Sequence, residues 1–119
     1  VLLGRMIKHS DNIIIDSATK PRRTDVRRRT FFRRSDKHQI AINIAWKKSK
    51  GTCNYLGEWH THPEEIPTPS SVDFNSWKKQ VKQAEYECDA LFFIIIGTQD
   101  LVVYEASYSI RRPKKLQQL

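Results

Sequence analysis

Cysteine is scarce in this chain. Cys53 and Cys88 are the only two, and no C-x-x-C pair occurs. That excludes a disulfide-built scaffold and fits two core thiols in a reducing compartment. Long apolar runs are missing too. The longest, Ala90 to Gly97, falls far short of the ~20 residues that a membrane span requires. The opening V-L-L-G-R-M-I has no small-residue cleavage site behind it, so a signal peptide is not expected and the cytoplasm is the expected location. There is no internal repeat and no low-complexity tract. The composition is not that of collagen, a coiled coil or a disordered chain.

What is present is one domain's worth of sequence, residues 1–119, with 39% hydrophobic and 29% charged residues. The net charge of +8 is local. Acidic residues nearly vanish between Lys20 and Arg34, where eight basic residues meet one acid, Asp25. Without that stretch, thirteen basic residues face twelve acids. The protein therefore reads as a nearly neutral domain carrying an arginine-rich segment, 19–34. A second basic cluster, Arg111, Arg112, Lys114 and Lys115, lies in the C-terminal tail, 107–119. Arginine offers bidentate donors to phosphate or carboxylate, so nucleic acid and an acidic protein face are both possible partners, beside a simple solvated loop.

Patterning predicts strands at Val1 to Ile7 and Asn12 to Ala18, joined by the turn H-S-D-N. Gly4 suggests a bulge or a close backbone approach. Residues 19–34 read as irregular or part-extended. Ser35 or Asp36 can cap a helix to about Lys48, with Ile40, Ala41, Ile44 and Ala45 on one face and Gly51 ending it. A third strand is expected over Asn54 to His60, then a stiff loop from His62 to Pro69 with three prolines. A second helix is expected from Ser71 to about Glu87, with Phe74, Trp77, Val81 and Ala84 facing inward. Two more strands, Leu91 to Ile96 and Leu101 to Ala106, flank the turn G-T-Q-D. Interleaved strands and helices with hairpins at both ends give an α/β class with a mixed or antiparallel sheet.

The chemistry concentrates in G-E-W-H-T-H-P-E-E-I-P-T-P-S-S-V-D, Gly57 to Asp73. His60 and His62 are two apart at a strand end, so their imidazoles share a face and can converge on one metal ion. The loop can return Asp73, in the first turn of the next helix, as a third ligand. Two His and one carboxylate leave a fourth position open, as in catalytic zinc sites. The alternatives are bland ones. H-T-H can be two surface histidines, and Ser70-x-x-Asp73 can be a helix cap with its acidic partner. Both readings of Ser70 are compatible, since a cap can also fix ligand geometry. His9 and His38 read as surface residues. Trp59 and Trp77 read as core, and Trp46 as partly exposed. Cys53 reads as a buried thiol rather than a further ligand.

The whole pattern, His-x-His-Pro followed by Pro63 to Pro69 and then Ser70-x-x-Asp73, resembles the JAMM motif of the MPN-plus (JAB) metalloproteases. V-L-L-G resembles that family's first core strand and L-F-F-I-I-I-G a later one. The resemblance implies an MPN (JAB)-like mixed sheet flanked by helices. It implies Zn2+ on His60, His62 and Asp73, and an oxyanion-stabilising role for Ser70. It implies hydrolysis of isopeptide or peptide bonds at the C-terminus of ubiquitin-like proteins. Y-L-G-E-W-H-T-H-P-E and P-R-R-T-D-V-R-R-R-T-F-F-R-R are most similar to the bacterial branch, whose members accompany ubiquitin-like conjugation enzymes, including those of CBASS antiphage operons. The expected partners are thus a ubiquitin-like protein or its conjugate and operon-encoded conjugation enzymes, with no membrane.

One departure stands out. The family's general base is a glutamate just before the V-L-L-G strand, and this chain begins at Val1, so an N-terminally truncated domain is expected. Glu58, on the same strand face as the histidines, is the local alternative, although a packing role suits it better. Glu64 and Glu65 read as solvated or substrate-facing. The leading expectation is a zinc isopeptidase. The second is a zinc-holding module that binds the modifier without cutting it. Nucleic-acid binding ranks last, since no RNP motif, helix-turn-helix or zinc-finger spacing supports it.

Overall fold

A computed structural model describes residues 1–28, 31–109 and 112–118. Arg29 and Arg111, members of the two basic clusters, lie outside the described residues. The elements in chain order are β1 (Leu2–Met6), β2 (Ile13–Ala18), β3 (Val26–Arg28), β4 (Phe31–Arg33), α1 (Asp36–Lys48), β5 (Asn54–Thr61), α2 (Ser71–Gln83), β6 (Leu91–Ile96), β7 (Leu101–Ala106) and β8 (Lys114–Lys115). The class is α/β, with a mixed six-stranded sheet in the order β2-β1-β5-β6-β7-β8 and a separate β3–β4 hairpin. The chain divides into two compact units, Val1–Leu56 and Gly57–Leu119, and β5 contributes to both.

In the first unit β1 and β2 pair antiparallel across the predicted turn, and the register shifts between Leu3 and Gly4, as the glycine suggested. The basic segment is part-extended, forming the β3–β4 hairpin. Helix α1 starts at the N-cap Ser35, whose side chain accepts the N–H of Lys37. Its end is a Schellman turn. The Gly51 N–H reaches the Trp46 carbonyl at 2.8 Å and the Lys50 N–H reaches that of Lys47 at 3.2 Å. The left-handed residue after the cap is Lys50, at φ 58°, and not Gly51 alone.

Two expectations for α1 fail together. Ile40 and Ile44 face outward, at 55% and 60% exposure, while His38 and Ile42 are buried. Residues 38 and 42 lie one turn apart, and 40 and 44 fall about 200° around the helix from them. His38 occupies the inner stripe because its ring is fully partnered. Its Nδ1 lies 2.7 Å from the Thr19 Oγ1, and its Nε2 lies 2.9 Å from Oδ1 of Asp25. A buried polar group is tolerated when so bonded.

In the second unit β5 runs parallel to β6, with Gly57 opposite Phe92 and His60 opposite Ile95. A parallel pair needs a crossover, and α2 supplies it. Strands β6 and β7 are antiparallel as expected. Part of the basic tail forms β8, which pairs with β7 and which patterning did not reveal. Helix α2 stops at Gln83 rather than near Glu87. Ala84 turns extended at ψ 150°, and the Tyr86 hydroxyl donates to the freed Val81 carbonyl at 2.9 Å. Leu91, Phe93 and Ile95 fill the core under Trp77 and Val81. Trp77 stacks on Phe93 with ring centroids 5.0 Å apart, and Phe74 meets Trp77 edge-on at 5.4 Å. Trp59 is only half-buried.

Candidate metal centre

The aromatic cluster sets where Asp73 goes. Trp77 and Asp73 are four residues apart on α2 and so share a face. Anchoring Trp77 on Phe93 turns Asp73 toward the C-terminal end of β5. The Trp77 ring also lies 6.5 Å from that of His60. The first turn of α2 is fixed by a capping box. The Ser70 Oγ accepts the Asp73 N–H at 3.2 Å, and the Ser70 N–H donates to Oδ2 of Asp73 at 2.8 Å.

Three side chains then converge. Nε2 of His60 lies 3.1 Å from Oδ1 of Asp73. Nε2 of His62 lies 3.2 Å from Oδ2 of Asp73, and the two Nε2 atoms are 3.1 Å apart. Among the described residues this is the group of His, Cys, Asp and Glu side chains whose ligand atoms approach closely enough to share a metal ion. The donor set fits zinc. Ligands at about 2.0–2.1 Å in a tetrahedron are spaced by about 3.3 Å, close to the separations seen here. Burial pushes the His60 pKa below its ordinary value against the opposing pull of Asp73, which favours the neutral, ligating imidazole. The side chains of His60, His62 and Asp73 are 36%, 18% and 14% exposed, so the cluster opens to solvent.

All four residues singled out by the motif therefore meet at one place: His60, His62 and Asp73 as a cluster, and Ser70 as the cap beside it. Glu58 is half-buried opposite Phe93 and is not one of the converging groups. Cys53 is free, outside the cluster, and its thiol pKa is raised by burial. Glu64 was expected to be solvated or substrate-facing; its side chain is 49% exposed, and its Oε1 also lies 3.1 Å from Nδ1 of His62. The signal for it was present as the carboxylate two positions beyond a candidate ligand. The loop that carries it is tied to the β6–β7 turn. The Glu64 carbonyl accepts the Thr98 N–H at 2.8 Å, and the Glu65 carbonyl accepts those of Gln99 and Asp100 at 3.1 Å.

A mixed sheet with a crossover helix, and a His–His–carboxylate cluster where strand end meets helix start, defines an α/β domain built around a candidate metal site. A family model described as prokaryotic homologs of the JAB domain matches residues 1–111, and the chain belongs to that family. It is similar to proteins named CD-NTase/cGAS isopeptidase. The relative from Vibrio cholerae serotype O1 is 36% identical over 101 residues, covering 84% of this chain and 61% of the relative. That from Escherichia coli strain TW11681 is 35% identical, covering 79% and 58%. That from Pseudomonas aeruginosa strain BWHPSA011 is 42% identical, covering 66% and 49%. The chain thus spans less than two thirds of the length of these relatives.

Proposed function

We propose that residues 1–119 form a single JAB domain and act as a zinc-dependent isopeptidase, releasing a ubiquitin-like modifier from a conjugate in antiphage defence. The observation that carries this is the convergence of two imidazole nitrogens and a carboxylate within 3.1–3.2 Å of one another at an exposed strand end. The names of the relatives point the same way. His60, His62 and Asp73 would hold the ion. A zinc ion so bound supplies a Lewis acid for the scissile carbonyl and acidifies water at neutral pH.

Asp73 and Ser70 have roles of their own beside the ion. Asp73 is oriented by the Ser70 N–H and by its place on α2. Ser70 accepts a hydrogen bond through Oγ from the Asp73 N–H, which leaves its hydroxyl proton free to donate. In this reading that proton meets the developing oxyanion, and capping and catalysis use different lone pairs and protons of one hydroxyl. The arginine-rich segment, 19–34, would meet an acidic face of the modifier or its target.

The test has two readouts, zinc content and cleavage of a ubiquitin-like conjugate. About one zinc per chain, lost in an H60A/H62A double variant, and cleavage abolished by H62A are expected. A folded chain without zinc overturns the reading. Zinc without cleavage of any conjugate replaces it by a module that binds the modifier and does not cut.

A further inference from the structure

Glu64 is absent from the His-x-His, Ser and Asp set, yet it contacts the outer nitrogen of one candidate ligand. An ionised carboxylate only accepts hydrogen bonds, so the 3.1 Å contact requires His62 to carry its proton on Nδ1. Its Nε2 lone pair is then directed at the cluster shared with His60 and Asp73. We propose that Glu64 is a positioning residue for the metal site, holding the His62 ring in the tautomer and orientation that ligation needs. This rests on the reading that His60, His62 and Asp73 hold zinc.

The arrangement is built, not incidental. The same Oε1 also accepts the Thr68 N–H, in a long contact of 3.5 Å. The backbone beneath it is pinned by the Thr98, Gln99 and Asp100 N–H groups. Gly97 permits that pinning: a Cβ there would stand 2.5 Å from the Glu64 carbonyl oxygen and 2.7 Å from that of Glu65. The loop is thus held against the β6–β7 turn, and the Glu64 side chain reaches back to His62 from a fixed base. Carboxylate partners of ligating histidines fix the ring and raise its basicity.

The experiment is zinc affinity by chelator competition for the wild-type chain and for E64A, E64L, E64Q and E65A, with circular dichroism on each. Loss of the partner is expected to weaken zinc binding about 10–100-fold in E64A. E64L keeps the bulk without the acceptor and should match it, which guards against a folding defect in either variant. E64Q retains a carbonyl acceptor and is expected to recover most of the affinity. E65A changes the same loop without touching His62 and should bind as the wild type does. Equal affinity in E64A, E64L and wild type overturns the proposal, as does a loss in E65A as large as in E64A. Failure of the wild type to bind zinc overturns the metal site itself, and this role with it, so the two failures are distinguishable.

Discussion

Asp25 keeps its charge in a buried place. Burial pushes its pKa up, but the N–H groups of Arg22 and Ser35 and the His38 ring outweigh it and bring the value down to about 2 from 3.8. The two N–H bonds are 2.8 and 2.7 Å. Nearby, Thr24 donates to the Ser35 hydroxyl, which also caps α1. One carboxylate therefore ties the base of the basic hairpin to the start of a helix. A carboxylate whose folded value lies below its unfolded value contributes stability that is complete above the unfolded value. That contribution is lost as pH falls from 3.8 toward about 2. The shift corresponds to on the order of 2 kcal/mol. Urea unfolding across pH 2 to 6 should show this acid limb in the wild type and a flatter one in D25N. An unchanged limb would mean that Asp25 does not carry it. His38→Ala should cost about 1–3 kcal/mol at neutral pH, because it removes one hydrogen-bond partner each from Thr19 and Asp25.

At the scale of elements, the two helices differ in how plainly their inner faces can be read. On α2 the buried positions Trp77 and Val81 are large and apolar, so periodicity finds them. On α1 the inner stripe is His38 and Ile42, and the larger apolar residues Ile40 and Ile44 point out. Stability measurements separate the faces. Ile42→Ala should cost about 2–4 kcal/mol through lost burial and a cavity. Ile40→Ser and Ile44→Ser should each stay within about 0.5 kcal/mol, as exposed substitutions do. A large loss at Ile40 or Ile44 in chemical denaturation would reverse the assignment of the faces. Strand β5 has its own constraint at Gly57, where φ is 141° and a Cβ would collide with the Phe92 carbonyl oxygen. Close approach there brings β5 onto β6 just ahead of His60.

For the whole molecule, ligation would be coupled to folding, since the three candidate ligands come from a strand end and a helix start that meet only in the native state. Free zinc at a hundred times its Kd should add about 2.7 kcal/mol to the stability. For a domain of this size that is a rise of about 10 °C in Tm, removed by EDTA. The H60A/H62A variant should show no such rise. An equal rise in that variant would place zinc at some other group. Among the described residues no helix is long and apolar enough to cross a membrane, which agrees with the absence of a long apolar run.

Much of this was legible in the order of residues. Turn and cap chemistry are local, so Ser35, Ser70 and the H-S-D-N turn announce the ends of elements. Alternation and length marked β6 and β7. The spacing of His60, His62, Ser70 and Asp73 marked the candidate site, because a strand period of two puts both histidines on one face and a helix's first turn holds Ser70 and Asp73 together; the packing of Trp77 on Phe93 then brought the two halves to one place. Tertiary structure alone decided the rest. His38 is buried because Thr19 and Asp25, distant in sequence, satisfy both ring nitrogens. Lys114 and Lys115 become a strand because β7 offers an edge to pair with. Glu64 faces His62 because the β6–β7 turn pins its loop. Each depends on a partner in another element, and hydrogen bonds made between elements leave no period in the sequence.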